Sequence, residues 1–147
     1  MFKLENMDLK SFQNYRKDAL QRISKDYLES GVYNKGEASQ MAEHLFTEML
    51  PEGMNTPGQY LYNITKNGKI IGTIWYGALN NVYGYINDIL ISEGYEKEAL
   101  ELLEEDARKK GIKRLDLHTY TNNKSKLALF EKMGYHPYYL RLSKNLG

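Results

Sequence analysis

The stretch from residue 82 to residue 121 constrains this chain most, because it reads as strand, helix and strand in direct succession. Val82 to Ile91 carries apolar side chains on both alternating faces: Val82, Ile86 and Leu90 on one, Tyr85, Ile89 and Ile91 on the other. That is the pattern of a strand covered on both sides, so it should be central. Tyr95 to Lys110 follows as an amphipathic helix opened by Glu96 and Glu98, closed by Arg108, Lys109 and Lys110, and stopped by Gly111. Acids at the start and bases at the end complement the helix dipole, and a glycine just past the end suits a left-handed cap. Glu104 with Arg108, Glu105 with Lys109 and Asp106 with Lys110 form i,i+4 pairs on its surface. The next strand runs from Lys113 to Thr121. Such a crossover is right-handed almost without exception and leaves its two strands parallel. A mixed α/β sheet is therefore expected, with 82–91 and 113–121 adjacent.

The rest of the chain supplies the other layers. From Leu9 to Tyr27 apolar residues fall at 9, 12, 15, 19, 20, 23 and 27, and Ala38, Met41, Ala42, Leu45, Phe46 and Met49 repeat the helical spacing before Pro51 and Gly53 stop it. Gln59 to Thr65 and Lys69 to Leu79 read as strands joined by the tight turn Asn67-Gly68, and Asn80-Asn81 turns the chain again. After residue 121 a helix opens at Asn122 or Asn123 and closes at Gly134, and Tyr138 to Leu142 reads as a last strand. With a short starting strand at Phe2 to Leu4, the expected order is β-α-α-β-β-β-α-β-α-β. At 147 residues this is one domain, 1–147, since two separately cored domains would each be marginal.

Several chemistries are excluded before any fold is known. The chain has no Cys, which removes disulfides, thiol nucleophiles and thiolate metal sites, and no metal is expected. No G-x-S-x-G, H-E-x-x-H, G-x-x-x-x-G-K-[ST] or G-x-G-x-x-G occurs, so hydrolase and nucleotidase readings lose their support. Twenty basic residues against nineteen acidic ones leave a net charge of +1, which gives no footprint for nucleic acid or an anionic membrane. The N-terminus, Met1-Phe2-Lys3-Leu4-Glu5-Asn6, lacks the apolar core of a signal peptide, so a cytoplasmic protein is expected.

The motifs then resemble one family. Two N-terminal helices, the connector Leu50-Pro51-Glu52-Gly53-Met54-Asn55-Thr56-Pro57, the strand Ile71-Gly72-Thr73-Ile74-Trp75, the segment Gly111 to His118, Asn123 through Gly134-Tyr135, and the ending Leu142-Ser143-Lys144-Asn145-Leu146 look like a bacterial branch of the GNAT N-acetyltransferases. The resemblance implies the GNAT acyl-CoA N-acyltransferase fold, a mixed sheet whose parallel strands splay apart to admit acetyl-CoA as co-substrate. It implies transfer of the acetyl group to a primary amine by direct attack. The acceptor would be a small-molecule or peptide amine, and a homodimer is admitted; neither nucleic acid nor membrane is expected. Backbone groups of Ile89, Leu90 and Ile91 would hold the pantetheine arm, and Asn123 would either cap its helix or touch that arm.

Two positions depart from the family. Its pyrophosphate loop, [QR]-x-x-G-x-[GA], offers a row of unobstructed N–H groups, whereas Ile91 and Ala99 are separated only by Ser92 to Glu98, about five residues short of that pattern. Gly94 and Tyr95 match its later Gly-x, Glu96 stands where a small residue belongs, and the leading Arg or Gln is missing. Glu93, Glu96 and Glu98 either repel a pyrophosphate or only complement the helix dipole; each unit-charge pair at ~5 Å repels by about 3 kcal/mol before screening. Acetyl-CoA should bind weakly. Phe130 stands where the family commonly places the Tyr that protonates the leaving thiolate, and its other reading is a core-facing residue in a stripe with Leu127 and Met133; Tyr135, Tyr138 and Tyr139 are the substitutes. Asp88 is the candidate general base, because burial favours a proton-accepting carboxylate; the other reading is a carboxylate satisfied by backbone N–H groups. Trp75, Tyr62 and His118 are candidates for the acceptor pocket, with sheet packing the alternative. The rival to an enzyme is a degenerate GNAT-fold binding or assembly protein with weak or no CoA binding.

Overall fold

A computed structural model describes all 147 residues. The element order is β1 (Phe2–Asn6), α1 (Leu9–Glu29), α2 (Lys35–Met49), a short 3-10 turn (Gly53–Asn55), β2 (Gln59–Lys66), β3 (Lys69–Ala78), β4 (Tyr83–Ile91), α3 (Glu96–Lys109), β5 (Arg114–Asp116) and α4 (Lys124–Lys132). Two compact units result: Met1–Lys17 with Met49–Leu117, and Asp18–Glu48 with His118–Gly147.

Local signals set the element ends. Asp8 accepts the Ser11 N–H at 2.8 Å and starts α1; that backbone hydrogen bond holds its carboxyl below the usual range. Asn34 and Glu37 form a reciprocal capping box at α2, with bonds of 2.9 and 3.0 Å. Asn67 and Gly68 both have positive φ, 52° and 81°, which is the two-residue hairpin turn that the Asn-Gly pair favours.

The first unit holds the whole five-stranded sheet, in the order β1-β2-β3-β4-β5. The first three pairings are antiparallel, and β4 with β5 is parallel, as the strand-helix-strand reading requires. Neighbouring β3 residues face opposite ways. Tyr76 meets α3 through its hydroxyl on Asp106, and Asp88, the cross-strand partner of Trp75, meets the first turns of α1 through Tyr15. Trp75, Tyr76, Ile64 and Ile74 of the sheet and Leu100 and Leu103 of α3 are buried to below 2% exposure, so this unit has its own core.

Two expectations need correction. The strand expected over 113–121 is only three residues long, pairing Tyr83, Gly84 and Tyr85 with Arg114, Leu115 and Asp116. The ladder ends there because β4 carries a bulge two residues later. Trp75 pairs with Asp88 but Tyr76 with Ile86, so Asn87 is the extra residue that kinks the strand. β4 therefore has a strand on both sides for its first three residues only, not along its length. The strand expected at 138–142 is absent; Tyr138, Tyr139, Leu140 and Leu142 are exposed with no ladder partner, and an alternating pattern without a neighbouring strand cannot hold a β conformation. Lys109 and Lys110 pair with Glu105 and Asp106 on the surface of α3, as their spacing predicts.

Candidate active site

The bulge decides which way Asp88 points. Strict alternation would place Asp88 on the face of Ile86; one extra residue between them puts Asp88 on the face of Trp75. There its Oδ2 accepts the Tyr15 hydroxyl at 2.6 Å, and Tyr15 is itself only 5% exposed. Asp88 is half-buried, accessible enough to exchange a proton and anchored enough to keep one orientation. Next to it, the Gln59 Oε1 accepts from Trp75 Nε1 at 2.8 Å and from Asn87 Nδ2 at 3.3 Å, tying the bulge residue to the fully buried indole. Gly77 lies beneath this network, where a Cβ would stand 2.4 to 2.6 Å from the Gln59 amide atoms, so a larger residue there displaces the Gln59 side chain.

Beyond Tyr85 no strand lies against β4 on the β5 side, so the backbone from Ile86 to Ile91 has an edge open to a ligand. Ile89, Leu90 and Ile91 all belong to this edge. It runs directly into the turn Ser92 to Tyr95, where Gly94 has a φ of 95°. Three of the turn's N–H groups are engaged. The Ser92 N–H goes to Ile71 O at 2.8 Å, the Tyr95 N–H to Ser92 O at 3.2 Å, and the Gly94 N–H to Glu96 Oε2 at 2.9 Å. α3 then begins at Glu96 with Glu96 and Glu98 in its first turn. Gly94, Tyr95 and Glu96 are thus brought together, and the contact that joins two of them occupies an N–H group that an anion would need.

The aromatic meander is organised around a lysine. Lys110 Nζ donates to Asp106, to the Tyr62 hydroxyl at 2.9 Å and to the Tyr76 hydroxyl at 3.3 Å, and it lies 4.3 Å from the centre of the Tyr60 ring. Burial and the Asp106 carboxylate push the Tyr76 hydroxyl far above the usual phenol range. Against desolvation, which alone would act the other way, the partners hold Asp106 below the usual carboxylate range and Lys110 above the usual ammonium range. Tyr62 is therefore engaged on the face opposite Asp88, while Trp75 is paired with it across the sheet.

In the second unit, Asn123 caps α4 by accepting the Lys126 N–H at 3.2 Å, one of the two roles read for it. Phe130 is 3% exposed and meets the Tyr135 ring edge-on, centres 5.3 Å apart, and the Tyr135 N–H donates to Phe130 O at 2.9 Å. Phe130 is thus a core residue of this unit. His118 packs edge-on to Tyr120 at 5.8 Å; desolvation by its surroundings, then Lys126 and Arg141, lowers its pKa from the ordinary imidazole value. No group of three or more His, Asp or Glu side chains converges to hold a metal ion.

Tyr15 and Gln59 were not legible as site residues. Tyr15 lies 73 positions from Asp88 and shows only helical apolar spacing, and nothing in a single sequence marks a bulge at Asn87.

A profile of the acetyltransferase (GNAT) family matches residues 18–135. YdgE of Bacillus subtilis (strain 168), an uncharacterised N-acetyltransferase, is 30% identical to this chain, with 99% of the chain and 98% of YdgE aligned. YycN of the same organism is 28% identical with 97% of each covered. The crystal structure of YycN superposes with a TM-score of 0.92 over 99% of both chains. A profile over most of the chain, relatives aligned from end to end and a matching sheet with one parallel strand pair lead to one conclusion: this chain belongs to the GNAT acetyltransferase family.

Proposed function

We propose that the protein transfers an acetyl group from acetyl-CoA to a primary amine, by direct attack of the amine on the thioester. The observation that carries this reading is the juxtaposition, on β4, of an anchored carboxylate with an open strand edge. Asp88, or a water that it holds, takes the proton that the amine must lose before its lone pair can attack. Tyr15 keeps that carboxylate in one rotamer. The pantetheine arm has amide groups that can pair with the β4 backbone over Ile89, Leu90 and Ile91 as an added strand would. That part of the co-substrate fits. The diphosphate part does not, because in the 92–95 turn the N–H groups of Ser92, Gly94 and Tyr95 are engaged by Ile71, Glu96 and Ser92, and binding should be weak.

Trp75 lies on the face of Asp88, but it is fully buried with its indole N–H on Gln59, which favours the packing reading for it over a place in the acceptor pocket. Roles for His118, Asn123, Phe130 and Tyr135 in transfer, including return of a proton to the leaving thiolate by Tyr135, rest on the family resemblance alone, as do a catalytic domain spanning 1–147, a small-molecule or peptide acceptor and a cytoplasmic location. No helix is long and apolar enough to cross a membrane. The Gly94 to Glu96 contact favours a second reading, a degenerate binding or assembly protein. Thiol release from acetyl-CoA decides between them. It should require an added primary amine and yield the N-acetyl product; no amine-dependent release across a broad panel of amines would leave the degenerate reading.

A further inference from the structure

The β4 edge and the turn that follows it make opposite demands on a ligand. Along Ile86 to Ile91 the open backbone calls for alternating amide donors and acceptors. At the turn an anion meets a filled position. Of its N–H groups, those of Ser92, Gly94 and Tyr95 are already bonded, the Gly94 group to the Glu96 carboxylate itself. Glu93 is exposed beside it, and Glu98 Oε2 is buried with no hydrogen-bond partner. Lys97 lies in the first turn of α3, and the Lys66 ammonium is held over the rings of Tyr95 at 4.8 Å and Phe2 at 5.2 Å. Two carboxylates stand in the first turn of α3, so the positive end of that helix is complemented by its own acids. Glu96 acts as a built-in anion in the turn.

We propose that the acyl donor of this protein is recognised as a pantetheine thioester, through its amide arm alone, and that the nucleotide diphosphate of CoA contributes no affinity. The inference rests on the donor site along β4 set out above. The same chemistry is presented by a free pantetheine thioester and by the pantetheine arm of a carrier protein. Removing Glu96 opens the Gly94 N–H and deletes one negative charge, so it should help only a donor that carries a diphosphate.

Calorimetric titration separates these cases, using S-acetylpantetheine, acetyl-CoA and an acetylated acyl carrier protein against the wild-type chain at low ionic strength. S-Acetylpantetheine should bind at least as tightly as acetyl-CoA. Glu96→Gly should tighten acetyl-CoA by about fivefold and change S-acetylpantetheine by less than about twofold. Glu96→Gln, which keeps an acceptor for the Gly94 N–H, should act in the same direction with a smaller effect, and unchanged thermal unfolding of both variants would show that the fold is intact. Tighter binding of the carrier protein than of S-acetylpantetheine assigns the arm to a carrier; equal or weaker binding assigns it to a free thioester. If acetyl-CoA binds wild type about tenfold or more tighter than S-acetylpantetheine, and Glu96→Gly changes nothing, the proposal is overturned while the β4 donor site stands. If neither thioester binds, the donor site itself is wrong, and the proposal goes with it.

Discussion

Lys110 and Lys109 are adjacent, and each reaches a carboxylate one helical turn back, yet they should differ sharply in what they contribute to stability. Lys109 and Glu105 are 3.4 Å apart with 74% and 61% of their side chains exposed, a setting worth ~0–1 kcal/mol. Lys110 and Asp106 are 28% and 23% exposed, and Lys110 also touches Tyr60, Tyr62 and Tyr76. Lys110→Met keeps the aliphatic stem but loses a charge-assisted hydrogen bond, worth about 1.5–3 kcal/mol, and a cation–π contact, worth about 0.5–1 kcal/mol. Partial exposure screens some of this, so about 2–3 kcal/mol should be lost, or roughly 4–12 °C in Tm. Urea denaturation of Lys110→Met, Lys109→Met, Asp106→Asn and the Lys110/Asp106 double variant gives the cycle, in which a coupling of about 1–2 kcal/mol is expected. The sign with pH follows from both groups. Asp106 is lowered, so its share is present above the unfolded carboxylate pKa and is lost as pH falls through the folded one. Lys110 is raised, so its share is complete below the unfolded ammonium pKa and is lost as pH rises through the folded one. Between those limits the loss should be flat. Equal costs for Lys110→Met and Lys109→Met, within about 0.5 kcal/mol, would refute the reasoning.

Two glycines give further predictions. Gly77→Ala drives a Cβ into the Gln59 amide, which must swing away and leave the buried Trp75 N–H without its acceptor; a loss of about 1–3 kcal/mol and a red shift in the fluorescence of the single Trp are expected, and an unchanged spectrum would contradict the network. Gly72→Ala meets backbone instead, with the Cβ 2.5 Å from Leu90 O, so β3 and β4 must separate and the cost should exceed that of Gly77→Ala in the same denaturation assay.

Much of the fold was legible because its signals are local. Caps, the Asn-Gly turn and the charge polarity of α3 each act within a few residues, and the crossover rule then fixed β4 and β5 as parallel neighbours. What was missed depends on partners distant in sequence. The segments 117–121 and 138–142 have strand-like composition, but β structure needs a ladder, and neither finds one. Tyr62 read either as a pocket residue or as packing, and Lys110, 48 positions further on, resolves it as part of a cage with Tyr60 and Tyr76. Asp88 stood out as a carboxylate in an apolar strand, but the face it takes depends on the bulge at Asn87, and its anchor, Tyr15, looked like one more core residue of α1.

Asp88→Asn tests the central claim most directly, because it removes the base while keeping the side-chain shape and an acceptor oxygen for the Tyr15 hydroxyl. Wild type and variant would be compared for amine-dependent release of thiol from acetyl-CoA, with donor affinity and thermal unfolding measured on the same preparations. The account predicts that transfer falls by about 10²-fold or more, while donor affinity and folding stay close to wild type. Turnover in Asp88→Asn equal to that of wild type would contradict it.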